Sequence, residues 1–251
     1  EAGQGTQTIG DALAYIFASA GYHLFTYQDV MSRIRGGNNF FEIRVSIHPV
    51  HSPRHKPELI ICLDKQSVDI HRKDLGVDGM IVVDQKKFAL EQLDEVMCDV
   101  PFNEIALRVA NDALYVNSIA CGFIAGIAGV DFSFVTRSLQ DVFSRKSADV
   151  ITSNINSARA GFELGLENPQ RDMFLLPQAG KDAVSARLLN GSTAIALGAI
   201  RGGCKFYTAY PMSPSTDIMN NIAARAHDAH IVVEQAEDEI AAVNMAIGAS
   251  F

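Results

Sequence analysis

Hydrophobic positions along the first third of the chain fall into short blocks. "YHLFTY", "FFEIRVSI", "ELIICLD" and "GMIVVD" are each of strand length, rich in β-branched or aromatic residues and separated by helical or loop segments. The opening residues predict a helix over about Thr8 to Ala20 and a strand over about His23 to Tyr27. That alternation predicts an α/β fold with a mostly parallel, doubly wound sheet. Between 101 and 165 the period changes to that of helices. "NSIACGFIAGIAGV" places Gly122, Gly126 and Gly129 at spacings of four and three, which allows a second backbone to approach closely and reads as a buried packing helix. Periodicity lapses over 167–190, where two prolines and many polar residues predict a linker. From Gly191 a second α/β unit is expected: helix "STAIALGAIRGG", strand "KFYTAY", turn "PMSPS", helix "TDIMNNIAARAHDA", strand "HIVVEQ" and a closing helix from Ile240 to Phe251. The predicted organisation is therefore a domain over 1–166, a linker over 167–190 and the start of another domain over 191–251.

Both ends suggest an internal piece of a longer polypeptide. The chain opens in a glycine loop of the kind that follows a strand, and its final helix has neither a glycine cap nor a following turn. With 29 acidic against 21 basic residues the net charge is -8, which argues against nucleic acid or an anionic membrane as partner surface. Cys62, Cys98, Cys121 and Cys204 stand far apart without a CxxC pair, so no zinc or iron-sulfur site is written locally and a reducing, cytoplasmic compartment is expected. The longest apolar run, Ile119 to Val130, is too short to span a bilayer.

Four stretches carry candidate chemistry. Gly3-Gln4-Gly5 precedes a helix N-terminus, where free N–H groups and the helix dipole suit an anion, although a tight turn would use glycines equally well. "SRIRGG", from Ser32 to Gly37, adds Arg33, Arg35 and Gly36 in a second loop of the same sheet. "YPMSPST" lies between a strand and a helix, where open α/β sheets place ligands; Pro211 and Pro214 stiffen the turn around Ser213, while Ser215 or Thr216 is expected to cap the next helix. Finally, Glu234, Glu237, Asp238 and Glu239 crowd the start of the closing helix. The helix dipole stabilises each such charge by about 0.3 to 1 kcal/mol, which accounts for the acidity and does not single out one carboxylate. Glu239 shares a helix face with Val243 and Ile247, yet Glu237 and Asp238 also face small residues, so periodicity leaves the choice open. The loop "HPVHSPRHKP" carries three histidines at irregular spacing and reads as solvated, with no metal site.

"GQG", "SRIRGG" with "FEIRVS", "YPMSPST" and "EDEIAAVNMAIGAS" stand here in the order in which they occur in the 2-oxoacid:ferredoxin oxidoreductases. The chain resembles the α subunit of the two-subunit, 2-oxoglutarate type, in which a γ domain is fused in front of the α domain. The resemblance implies a γ domain associated with coenzyme A, at Gly3, Gln4, Gly5, Ser32, Arg35, Gly36 and Gly37. It also implies an α domain that forms the pyrimidine half of a thiamine diphosphate fold. Glu239 then matches the glutamate that hydrogen-bonds N1′ of the aminopyrimidine and promotes loss of the C2 proton. Ser213, where the family usually has threonine, would touch the 2-oxoacid together with Tyr210 and Pro211. No GDG motif and no cluster cysteines are present, so Mg2+, the diphosphate site and a [4Fe-4S] cluster would belong to a β subunit, in a heterodimer or dimer of heterodimers that reduces ferredoxin. The implied reaction is oxidative decarboxylation of 2-oxoglutarate to succinyl-CoA. The same chemistry on pyruvate, a branched-chain or an aryl 2-oxoacid is one alternative, and a non-catalytic nucleotide-binding or scaffolding subunit is another.

Overall fold

A computed structural model describes residues 6–29, 37–179 and 188–251. Contacts divide the chain into two compact units, Glu1–Arg187 and Leu188–Phe251.

In the first unit α1 (Thr6–Ser19) leads into β1 (His23–Asp29), which pairs antiparallel with β2 (Phe40–Ser46) from His23 opposite Ser46 to Asp29 opposite Phe40. The next stretch builds a separate three-stranded parallel sheet in the order β3, β4, β5 from β3 (Leu59–Ile61), α2 (Lys65–His71), β4 (Met80–Val83), α3 (Gln85–Phe88) and β5 (Met97–Asp99). The expected α/β class and parallel pairing are present, with the first two strands as an antiparallel exception. β4 has all four residues buried, as its unbroken "MIVV" requires of a central strand covered on both faces. Asp84, which follows it, is itself buried and accepts from Lys87 N at 3.0 Å and from Asn103 N at 2.9 Å. One carboxylate thus closes the first turn of α3 and fixes the start of α4 (Phe102–Ala110).

Helices then cover the sheets: α5 (Val116–Ile127), α6 (Phe132–Val142), α7 (Ala148–Glu167) and α8 (Arg171–Phe174). The glycines of α5 divide by role. Side chains added at Gly122 and Gly126 would overlap the carbonyl oxygens of Ala158 and Phe162 on α7, and Gly161 and Gly165 of α7 meet the carbonyls of Ile119 and Phe123 in return. Backbone therefore lies on backbone along this helix pair. Gly129, read from spacing as part of the same stripe, ends the helix instead, at φ 74° with Gly129 N bonded to Gly126 O and Val130 N to Ala125 O. α5 also serves two cores. Cys121 and Ala125 pack with α1 and the β1–β2 pair, whereas Ile119, Phe123 and Ile127 pack with Met80, Val82, Phe102 and Ile105.

The start of the expected linker is bound to this unit, through Tyr22 Oη donating to Pro177 O at 3.0 Å and Leu176 N donating to Ala128 O at 3.1 Å. All four cysteines are free, and burial pushes the Cys62 and Cys121 thiols up to about 12, leaving them as inert core residues. Among the described residues no helix is long and apolar enough to cross a membrane. Ser157, on the α7 face turned to the core, is fully buried with its hydroxyl unpartnered. Ser157→Ala is therefore expected to stabilise the unit by about 1 to 2 kcal/mol, from the relieved hydroxyl and the better helix former. Thermal unfolding checks this: a rise of roughly 2 to 8 °C in Tm is expected, and a fall would mean that the hydroxyl has a partner.

The second unit is smaller. α9 (Gly191–Arg201), capped by Asn190 through Thr193 N at 2.7 Å, packs on α10 (Thr216–Ala223) over a core of Ala196, Ile222 and Ile231. β6 (Phe206–Ala209) and β7 (Val232–Gln235) are parallel, from Phe206 opposite Val232 to Ala209 opposite Gln235. The single helix expected over 216–229 breaks into α10 and the short α11 (Ala226–Ala229), and α12 (Glu239–Ala249) closes the chain.

Candidate active site at the ends of two parallel strands

Because β6 and β7 are parallel and in register, the loops that follow them leave the same edge of the sheet. Ala236 N donates to Ala209 O at 3.0 Å, which ties the bases of the two loops by main chain alone. One loop carries Tyr210, Pro211 and Ser213; the other carries Glu237 and Asp238 and leads into Glu239 at the start of α12. This is the carboxyl end of parallel strands, where α/β sheets bind ligands. Ser213 is exposed, and the Ser213–Pro214 peptide is cis. Ser215 does not cap α10 as expected. Its hydroxyl donates back to Met212 O at 2.8 Å, so it closes the turn around Ser213 rather than the helix after it.

Capping sets one member of the acidic cluster apart. Asp238 is the cap of α12, with Oδ1 accepting from Ala241 N at 2.7 Å. Glu234 lies within β7 and Glu237 in the bend before the helix. Glu239 is the first helical residue, exposed, and its carboxylate has no hydrogen bond or ion pair among the described residues. The helix face it shares with Val243 and Ile247 is open: those two side chains are 58% and 53% exposed, and Ala242 is the buried residue of α12. Thr208 Oγ1 lies 3.6 Å from Met245 Sδ, where α12 lies against β6.

Of the residues tied to the glycine loops, Gly3, Gln4, Gly5, Ser32, Arg33, Arg35 and Gly36 lie outside the described residues, and Gly37 is described at φ 144°. The described margins of the two loops do meet. Thr6 and Asn38 line one cavity of about 700 Å³ in the first unit, together with Phe40, Asp64, Ser67 and His71. A polar network fills its wall: Asn38 Nδ2 donates to Ser67 Oγ at 2.7 Å, Ser67 Oγ to Asp64 Oδ1 at 3.0 Å, and His71 places Nε2 at 2.7 Å from Asn38 Oδ1 and Nδ1 at 3.2 Å from Asp74 Oδ2. Phe40 meets the His71 ring edge-on at 5.3 Å. Sequence reasoning missed this network. Asp64 three residues before Ser67 is a legible cap, but the Asn38–His71 contact joins residues with no local pattern between them. Among the described residues no three His, Cys, Asp or Glu side chains converge as a metal site.

Two family models match the chain: "Pyruvate ferredoxin/flavodoxin oxidoreductase" over residues 1–164, and "Pyruvate flavodoxin/ferredoxin oxidoreductase, thiamine diP-bdg" over residues 197–251. Similar curated proteins include the 2-oxoacid:ferredoxin oxidoreductase α subunit of a Sulfolobus species, 24% identical over 99% of this chain and 46% of its own length. The KorA subunit of 2-oxoglutarate oxidoreductase from Mycobacterium tuberculosis is 22% identical over 100% of this chain and 44% of its own length. The chain thus spans a little under half the length of these relatives. Among solved structures, the 2-oxoglutarate:ferredoxin oxidoreductase of Magnetococcus marinus, described with 2-oxoglutarate, coenzyme A and succinyl-CoA bound, superposes with a TM-score of 0.88 at 22% identity, over 99% of this chain and 44% of that one. The γ subunit of a keto/oxoacid ferredoxin oxidoreductase from Geobacter sulfurreducens superposes with a TM-score of 0.53 at 20% identity, over 67% of this chain and 95% of that one. At these identities the likeness concerns the fold.

Proposed function

The chain belongs to the pyruvate ferredoxin/flavodoxin oxidoreductase family, and on that premise we propose that it is part of an α subunit that oxidatively decarboxylates 2-oxoglutarate to succinyl-CoA, passing electrons to ferredoxin. Residues 1–166 serve as the γ domain and residues from 191 as the start of the pyrimidine domain. A cytoplasmic β subunit completes the site with Mg2+, the diphosphate half and a [4Fe-4S] cluster. The observation that carries the reading is the meeting of the Ser213 turn and the Glu239 helix start at one edge of the β6–β7 sheet.

The residues present fit half of a thiamine diphosphate site. Asp238 is occupied as a cap, whereas Glu234, Glu237 and Glu239 make no such bond among the described residues, and it is the resemblance to the family that assigns proton exchange with a ring nitrogen to Glu239. When bound, the cofactor supplies the nucleophilic carbon and the electron sink that decarboxylation of a 2-oxoacid needs. Glu239 holds or gives up the proton at N1′, Ser213 Oγ donates to the substrate carboxylate or oxo group, and Tyr210 with Pro211 shapes the wall beside it. In the first unit the cavity bounded by Thr6 and Asn38 brings the margins of the two glycine loops together, which supports an anionic ligand such as coenzyme A at Gly3 to Gly5 and at Ser32, Arg35, Gly36 and Gly37. Relatives named for 2-oxoacids at large support a second reading, with the same chemistry on a broader substrate range.

The native complex, assayed for CoA-dependent dye reduction with 2-oxoglutarate, pyruvate, and branched-chain and aryl 2-oxoacids, tests both readings. Reduction that requires coenzyme A and prefers 2-oxoglutarate is expected; a colourless preparation that only binds nucleotide returns the chain to scaffolding. Ser213→Ala should lower kcat/KM roughly ten- to a hundredfold, since a hydrogen bond to a charged group contributes about 1.5 to 3 kcal/mol. Ser213→Thr keeps the hydroxyl and should stay near the parent value. Equal kinetics for Ser213→Ala and the parent would leave the residue a turn former.

A further inference from the structure

Ser215 stands at the cap position of α10, yet its side chain makes no capping bond to the helix. The hydroxyl points the other way and donates to Met212 O at 2.8 Å, and Thr216 N donates to the same oxygen at 3.0 Å. A serine at a cap ordinarily gives its oxygen to the first turn of the helix. Here that contribution is forgone and the turn before the helix is closed instead. Ser215 is joined to α10 through its main chain, since its carbonyl accepts from Ile218 N at 3.0 Å and from Met219 N at 3.3 Å. The helix in turn is seated in the core of the second unit by Ile222 and Met219, both buried. At its other end the turn leaves β6 from Ala209, whose carbonyl is held by Ala236 N. Between these two anchors Pro211 and Pro214 have no N–H with which to hold the chain. Ser213, between the prolines, is exposed, and its hydroxyl has no hydrogen bond among the described residues.

On the premise that Ser213 contacts the 2-oxoacid as proposed above, we infer that Ser215 is a positioning residue: its hydroxyl fastens Met212 O to the core-seated start of α10 and so fixes the backbone from which the Ser213 hydroxyl is presented. A hydroxyl contributes its full hydrogen bond to a bound carboxylate or oxo group only if the chain carrying it is already in place, because ordering a loose turn at each binding event costs part of the interaction. Without the Ser215 hydroxyl, Thr216 N still closes the turn, but through one bond where there were two. The fold itself loses little. Ser215 is half-buried, its carbonyl keeps both bonds to α10, and the core of the second unit is built from other residues. The effect of Ser215 is therefore felt through Ser213 and vanishes when Ser213 has no hydroxyl to place.

A double-mutant cycle in the assembled complex, read as kcat/KM for 2-oxoglutarate, tests this. Ser215→Ala is expected to lower kcat/KM about three- to tenfold, with the Tm of the complex close to that of the parent. Ser215→Thr keeps the hydroxyl and should recover most of the loss. In a Ser213→Ala background, Ser215→Ala should lower kcat/KM by less than about twofold further, whereas a merely structural role would subtract the same factor in both backgrounds. Additive losses overturn the proposal, as does a Ser215→Thr variant as impaired as Ser215→Ala. A Ser215→Ala complex that no longer assembles also overturns it, because the hydroxyl would then serve the fold. Parent kinetics for Ser215→Ala beside an impaired Ser213→Ala overturn the positioning role and leave the substrate contact standing; parent kinetics for Ser213→Ala overturn the contact itself and the positioning role with it.

Discussion

Glu239→Gln in the assembled complex is expected to lower turnover by 10² to 10⁴, the usual worth of a positioned acid-base group, while the complex still assembles and binds thiamine diphosphate. Glutamine is nearly isosteric with glutamate and can still touch a ring nitrogen, but it cannot exchange a proton with it. Among the described residues nothing in the fold needs the Glu239 carboxylate, because Asp238 already satisfies Ala241 N and the exposed Glu239 side chain has no partner there. The loss should therefore appear in chemistry and not in stability. C2-proton exchange of the bound cofactor, followed by NMR, should slow in parallel. Glu234→Gln should change little. If Glu237→Gln slows that exchange and Glu239→Gln leaves it at the parent rate, the acid-base role moves two residues upstream; if neither slows it, the cluster is helix electrostatics.

Gly122→Ala should destabilise the first unit by about 3 to 5 kcal/mol, although alanine is the better helix former by about 1 kcal/mol. The added methyl would overlap the Ala158 carbonyl, and main chain cannot swing aside as a side chain does, so α5 and α7 must move apart as bodies. A drop in Tm of roughly 6 to 20 °C is expected on that scale. Gly198→Ala in α9 is the contrast: nothing stands within 4 Å of the added atom, and the propensity gain should appear undiminished as a small rise in the stability of the second unit. A neutral Gly122→Ala would mean that the helix pair is not closed as described.

The strands that carry the fold were legible because runs such as "MIVV" and "FFEIRVSI" are β-branched or aromatic and bounded by turns, and because burial on both faces asks for unbroken apolar residues in β4. β5 was not, since three residues reading Met97, Cys98 and Asp99 have no pattern of their own and become a strand only by pairing with β4. Direction was equally hidden. β1 and β2 would read the same in a parallel sheet, and their antiparallel pairing depends on contacts between residues far apart in sequence. Spacing placed Gly122 and Gly126 on one face correctly but could not tell that Gly129 leaves the helix, because a spacing of three fits a helix stripe and a helix end alike. At the candidate site the sequence gathered the four carboxylates without sorting them. Capping geometry sorts out one of them, since a single Oδ1 to Ala241 N contact sets Asp238 apart from its neighbours. The Asn38–His71 network stayed invisible because its two halves come from different elements.

Since α5 gives one side to the core of the β1–β2 pair and another to the core around β4, neither sheet can shed its helix cover without stripping the other. The first unit should accordingly melt as a single cooperative block, with calorimetric and van't Hoff enthalpies in agreement, although among the described residues its two sheets share no hydrogen bond.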